Sequence, residues 1–217
     1  MNHTQNLALK VQHLNLFYGK RHIIKDLNLD LKQGQWLALT GTNGSGKSTL
    51  LRAIVGLHPH IGDIQFPGMP IVGYLPQQSL LDFQFPVEVS EFVALGLWKL
   101  NIPEKTKMID AALEKVNALN LKNWSLQELS RGQFQKVAIA RAIVHQPQLL
   151  ILDEPLTGLD EDTINDLLKF IQEYKKNGSS GLIVLHDELR RQQLEIEKLD
   201  LTTLKEIASP GSAPQSL

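Results

Sequence analysis

Trp36-Leu-Ala-Leu-Thr40 runs directly into Gly41-Thr-Asn-Gly-Ser-Gly-Lys47-Ser48-Thr49, and Leu50, Leu51, Ile54 and Val55 follow at helical spacing. A buried strand, a glycine-rich loop and a helix in that order, with the spacing Gly-x-x-x-x-Gly-Lys-Ser, read as a phosphate-binding loop. Gly41, Gly44 and Gly46, interleaved with Asn43 and Ser45, let backbone N–H groups turn inward around an anion. The helix that follows points its positive end at the same anion. Lys47 is expected to reach the β- and γ-phosphates, and the Ser48 hydroxyl, beside Thr49, to ligate Mg²⁺. The plainer alternative is a glycine-rich turn before an ordinary helix. The strand and the helix, however, both sit where the phosphate mechanism needs them.

Composition bounds the rest. The 217 residues fit one domain, or one domain with a sizeable insertion, and the 42% hydrophobic fraction supports a core. With 22 Lys+Arg against 23 Asp+Glu the net charge is −1, so no global field argues for nucleic acid as a partner. The chain has no cysteine, which excludes disulfides and thiolate metal sites and is compatible with a reducing cytosol. Met1-Asn-His-Thr-Gln-Asn6 lacks a basic-then-apolar layout, so no secretory signal is expected. No apolar run approaches the roughly 20 residues of a membrane helix, and the chain is not expected to span a membrane.

Working outward from the loop, residues 7–31 alternate apolar and polar around a turn at Tyr18-Gly19-Lys20, the pattern of an antiparallel β layer. Tyr18 reads either as an aromatic that stacks on a nucleobase or as a strand-edge core residue. A short strand is expected near Asp63–Phe66, and Pro70-Ile-Val-Gly-Tyr-Leu75 reads as a second core strand ending at Pro76-Gln77-Gln78. A polar pair just past a buried strand lies at the carboxyl edge, where open α/β sheets place ligands. An exposed loop from residue 79 leads into a helix from about Val87 to Trp98. Pro103 opens another helix with Met108, Ile109, Leu113, Val116 and Leu119 in helical period, and a third runs from Arg131 to about His145.

Leu149-Leu-Ile-Leu152 is uninterrupted apolar, as in a strand buried on both faces, and ends in Asp153-Glu154. An amphipathic helix through Ile164, Leu167, Leu168 and Ile171 is stopped by Asn177-Gly178. Gly181-Leu-Ile-Val-Leu185, capped by His186-Asp187, is the last clear core strand, and residues 209–217 read as a flexible tail. The expected architecture is α/β: a phosphate-loop NTPase core (1–79 and 146–187) with a mixed central sheet, an N-terminal antiparallel β layer, a helical insertion (80–145) and a short C-terminal region (188–217).

Asp153 after its apolar strand supplies the second Mg²⁺-binding element of a phosphate-loop NTPase. Glu154 is then a candidate general base for the attacking water; the alternative for both is a solvated strand exit. Ser130, with Gln133 three residues on, is a capping box that starts a helix. Its N–H groups and the small Gly132 could also present a second anion site.

Together these segments resemble the ATP-binding-cassette family, over most of the chain to about Asp187. The resemblance is carried by Gly41–Thr49, by the glutamine after Tyr74-Leu-Pro76, and by Leu129-Ser-Arg-Gly-Gln133, which ends 20 residues before Asp153. It continues through Asp153-Glu154, Leu159-Asp160 and His186. The resemblance implies that Tyr18 stacks on the adenine of ATP. It further implies that Gln77 senses the γ-phosphate and the metal, that Asp160 lies at a dimer seam and that His186 contacts the γ-phosphate. Ser130, Gly132 and Gln133 are implied to close over the nucleotide of a second subunit, giving a head-to-tail homodimer with two ATP molecules between the copies. Permease subunits would be direct partners and a substrate-binding protein an indirect one, with the ATPase peripheral on the cytoplasmic face of the cell membrane.

Phe85-Pro-Val-Glu-Val-Ser-Glu-Phe-Val-Ala-Leu-Gly96 and the compact size look closest to the ATPases of bacterial manganese, zinc and iron importers. His58, His60 and Asp63 are near one another in sequence, but a solvated Gly/Pro loop accounts for them without a metal. The chain departs from the family pattern in three places. Arg131 stands where the signature usually has glycine, Thr42 stands where a proline is common, and no further apolar strand is legible after Asp187, so a shortened C-terminal region is expected. A soluble cassette ATPase acting on ribosomes or DNA would call for two cassettes, a coiled coil or a basic arm. A GTPase would call for an Asn-Lys-x-Asp motif. None of these is visible.

Overall fold

The computed structural model describes residues 6–77, 86–97 and 104–202. Five parallel strands form the central sheet: β3 (Trp36–Thr40), β5 (Val72–Leu75), β6 (Leu149–Leu152), β7 (Ser180–Val184) and β8 (Glu197–Asp200), in the order β5-β6-β7-β3-β8. A separate antiparallel sheet holds β1 (Leu7–Tyr18) between β2 (Arg21–Lys32) and β4 (Ile61–Gln65). The second sheet is the antiparallel β layer expected from the sequence, and the central sheet, expected to be mixed, is parallel at every pairing among the described residues.

Alternation along the central strands decides the layers. Trp36, Ala38, Leu150 and Leu152 face a core completed by α2 (Val89–Ala94), α3 (Lys105–Lys115), α4 (Arg131–Ile143) and α5 (Glu161–Lys176). Leu37, Leu39, Leu149 and Ile151 face the other way, onto α1 (Lys47–Ile54) and the antiparallel sheet. All four residues of β6 are buried, because both faces of the sheet are covered.

The helices start and stop for local reasons. Ser130 caps α4 in a reciprocal box with Gln133, and Asp160 caps α5 by accepting from the Thr163 N–H at 2.9 Å. Asn177 and Gly178 (φ +83°) end α5 where the sequence places the stop. Helix α2 begins at Val89 on a Glu88 cap and continues as a 3₁₀ turn over Leu95–Leu97.

One helix end needs correction. Helix α3 ends at Lys115, and Asn117 at φ +53° turns the chain, so Leu119 opens a 3₁₀ turn and is 41% exposed while Leu121 is buried in its place. Leu119 continues the helical period without continuing the helix. After Asp187, where the sequence shows no apolar strand, the chain still has regular structure. It forms α6 (Glu188–Gln193) and then β8, which pairs in parallel with β3. Gln78, the loop 79–85, Trp98, Pro103 and the tail 209–217 lie outside the described residues.

Candidate active site

A parallel sheet brings every strand's carboxyl end to one edge, and ligands of α/β sheets bind there. The phosphate loop follows β3, Gln77 follows β5, Asp153-Glu154 follow β6 and His186 follows β7. In the loop, Gly41, Gly44 and Gly46 adopt φ values of +133°, +75° and +106°, backbone that residues with a Cβ rarely reach. Gly46 is the N-cap of α1, and a Cβ there would lie 2.7 Å from Ile23 Cγ2. A cleft of about 630 Å³ opens beside it, lined by Asn43, Gly44 and Gly46–Thr49 together with Gln77, Glu154, Thr157 and His186.

Glu154 is the hub of the cleft. Its backbone is left-handed (φ +51°), which costs of order 1–3 kcal/mol and turns the side chain out of the strand direction. One carboxylate oxygen accepts from His186 Nε2 at 3.1 Å. The other accepts from Gln77 Nε2 and from the Thr157 hydroxyl, each at 3.2 Å. Thr157 is a site residue that sequence reasoning missed; its only trace is its position three residues beyond Glu154.

Lys47 is 5% exposed, and its ammonium donates to the carbonyl oxygens of Gly41 (2.9 Å) and Thr42 (3.1 Å). Burial pulls its pKa below the usual lysine value, while the carboxylates of Glu154, Asp153 and Asp200 pull the other way. Asp153 is 1% exposed, and burial raises its pKa against the opposing hydrogen bond from Ser48 Oγ to Oδ1 at 3.0 Å. Asp153 Oδ2 is buried and accepts no hydrogen bond. A buried, unsatisfied carboxylate oxygen beside a serine hydroxyl fits a hard divalent cation.

The signature residues lie elsewhere. Ser130 Oγ accepts from the Gln133 N–H at 3.3 Å, and Gln133 Oε1 accepts from the Ser130 N–H at 2.9 Å. Both N–H groups are therefore spent on the capping box, and none of Ser130, Gly132 and Gln133 lines the cleft. Gly132 is buried against the start of α5: a Cβ there would sit 2.7 Å from Thr163 Oγ1 and 3.4 Å from Asp160 Oδ2. The Arg131 guanidinium lies over Gly158, where a Cβ would meet it at 2.5 Å. Gln135 on α4 donates to the Pro155 carbonyl at 2.7 Å and so ties the signature helix to the residue after Glu154.

Tyr18 stands 74% exposed at the β1–β2 turn and is not a core aromatic. His58 contacts the Phe17 carbonyl oxygen at 2.9 Å. Among the described residues no group of three or more His, Cys, Asp or Glu side chains is placed to hold a metal. No described helix is long and apolar enough to cross a membrane.

A phosphate loop after one strand of a parallel sheet and paired carboxylates after another, fully buried strand of the same sheet define a phosphate-loop nucleoside triphosphatase. Residues 24–157 match the family model described as ABC transporter. The chain is 37% identical over 186 residues to a zinc import ATP-binding protein of Yersinia pestis, covering 83% of this chain and 70% of that one. It is 32% identical over 195 residues to a manganese transport system ATP-binding protein of Halalkalibacterium halodurans, covering 84% and 78%. A dimeric bacterial ABC transporter cassette superimposes with a TM-score of 0.78 at 25% identity, over 89% of this chain and 94% of that one. A component of an ABC transporter complex of Clostridium perfringens gives 0.71 at 33% identity, over 84% and 79%. This chain belongs to the ABC transporter family and is one of its ATPases, with ATP as its nucleotide.

Proposed function

We propose that the chain is the ATP-hydrolysing subunit of a membrane importer for a divalent metal ion, zinc or manganese, acting on the cytoplasmic face as a head-to-tail pair bound to permease subunits. The observation that carries the hydrolytic part is the convergence of Gln77, Thr157 and His186 on Glu154 at the mouth of the phosphate-loop cleft. The names of the zinc and manganese relatives support the cargo, which is the permease's substrate and not a resident of this chain.

In this reading the loop N–H groups and Lys47 hold the phosphates, and the exposed Tyr18 stacks on adenine. Ser48, Asp153 and the Gln77 side-chain oxygen would hold Mg²⁺, which when bound neutralises phosphate charge. Glu154 accepts the proton of the attacking water, and His186 and Gln77 hold the Glu154 carboxylate in place until the γ-phosphate arrives. Ser130, Gly132 and Gln133, absent from the chain's own cleft, close over the nucleotide of the second copy, with Asp160 at the seam. Hydrolysis reopens the pair.

Glu154→Gln tests this reading. The variant keeps its shape and its ATP binding, loses turnover by about 10²-fold or more, and accumulates as a closed dimer with ATP on size-exclusion chromatography. Wild-type turnover would overturn the role of Glu154. Co-purification with a permease, followed by uptake assays across metal ions, tests the cargo; uptake of another solute class alone would overturn it.

A further inference from the structure

Strand β8 is the edge of the parallel sheet, and its register carries the chain past the phosphate loop. Leu39 pairs with Leu199 and Thr40 with Asp200; the strand ends there, and Leu201 and Thr202 turn into a helical conformation that sets Thr202 beside Thr42. There the Thr42 backbone N–H donates to Thr202 Oγ1 at 3.1 Å. Thr202 is itself held, because its own N–H donates to Asp200 Oδ1 at 2.8 Å. Leu201 between them is 2% exposed and packs in the core with Leu37, Leu39 and Leu50. The approach is close: a Cβ on Gly41 would lie 3.0 Å from Thr202 Oγ1 and 3.4 Å from Asp200 Oδ1.

The bond to Thr202 falls on a peptide that matters to the nucleotide. The Gly41 carbonyl and the Thr42 N–H belong to one planar trans unit, so the two groups point in opposite directions. The carbonyl oxygen faces the Lys47 ammonium at 2.9 Å, and the N–H faces Thr202. Fixing the N–H fixes the rotation of the whole plane, and with it the oxygen against which Lys47 rests. The bond needs a residue with an N–H at position 42, which a proline there would not supply.

We propose that Asp200–Thr202 is a positioning element of the ATP site, in which Thr202, through the Thr42 N–H, sets the Gly41–Thr42 peptide and thereby the place of Lys47. The proposal rests on Gly41–Thr49 being the ATP site. Asp200–Thr202 is, in this account, part of the nucleotide-binding machinery.

The test uses the full chain and measures ATP affinity and steady-state hydrolysis. Thr202→Val removes the acceptor at nearly constant volume and raises the Kd and KM for ATP about five-fold, with kcat at saturating ATP within about two-fold of wild type. Thr202→Ser restores wild-type affinity. Thr42→Pro removes the donor and has a similar effect, and the double variant is no weaker than either single one, because both remove the same bond. Melting temperatures without nucleotide show that the variants are folded. Wild-type affinity in Thr202→Val, failure of Thr202→Ser to restore it, or additive effects in the double variant would each overturn the proposal. Lys47→Ala separates the two levels. If it weakens ATP binding strongly while Thr202→Val binds as wild type, only the role of Thr202 is lost. If it binds ATP normally, the loop assignment fails and the proposal with it.

Discussion

His186 Nε2 donates to Glu154 Oε1 at 3.1 Å although 32 residues separate them in sequence. The two residues sit just beyond the carboxyl ends of β6 and β7, which are neighbours in parallel register with Leu152 opposite Ile183. In the mechanism we propose, His186 holds the Glu154 carboxylate before nucleotide arrives and donates to transferring phosphate oxygen afterwards. His186→Ala is expected to lower kcat about 10²-fold, the usual cost of one lost donor, while ATP affinity changes far less. Steady-state kinetics decide; an unchanged kcat with a raised KM would assign His186 to binding alone.

Lys47 is buried, and its ammonium is satisfied by two loop carbonyls, so its charge is available to phosphate without a search for its position. Lys47→Ala should weaken ATP binding by about ten- to a hundred-fold, the range for a hydrogen bond to a charged group. A titration with a fluorescent ATP analogue measures it, and unchanged binding would contradict the phosphate-loop assignment.

Gly132 allows the capped starts of α4 and α5 to touch. Gly132→Ala drives a methyl group against Thr163 Oγ1 at 2.7 Å, and overpacking of this kind costs about 1–3 kcal/mol. A fall in melting temperature of about 5 °C is expected by scanning calorimetry. An unaltered melting temperature would mean that the two helix starts can part at no cost.

Tyr174 provides a pH test remote from the cleft. Its hydroxyl donates to the Pro147 carbonyl at 2.8 Å, and burial pushes the phenol up to about 12 from the usual 10.0. A raised folded pKa means that the folded state holds its proton longer than the unfolded one. Its contribution to stability is therefore fully present below pH 10 and is lost as pH rises toward 12. Tyr174→Phe should cost about 1 kcal/mol at pH 8, because the Pro147 oxygen loses its donor. It should also show a shallower loss of stability between pH 10 and 11. Parallel urea melts check both; identical pH slopes would remove Tyr174 from the account.

Much of the fold is legible in local pattern. Strand β6 is read correctly because both its faces are buried, which leaves an uninterrupted apolar run. Helix α4 starts where Ser130 and Gln133 say it must, since capping is an interaction within four residues. Leu119 misleads because periodicity registers burial spacing and not the positive φ of Asn117 that breaks the helix first. Strand β8 is hidden for the opposite reason. An edge strand with the sequence Glu-Lys-Leu-Asp exposes its polar side chains, and only its pairing with β3 makes it a strand.

The candidate site divides along the same line. Gly41–Thr49 carries its chemistry in nine consecutive residues, because a phosphate nest is built from local backbone, and the sequence alone identifies it. Asp153 and Glu154 are likewise legible from the buried strand that precedes them. That Glu154 gathers Gln77, Thr157 and His186, that Gly132 is spent against Thr163, and that Thr202 reaches the Thr42 N–H are settled only in three dimensions. The physical reason is strand order. Local pattern encodes which residues are buried and with what period, whereas the order β5-β6-β7-β3-β8 decides which carboxyl ends are neighbours, and no stretch of chain contains that order.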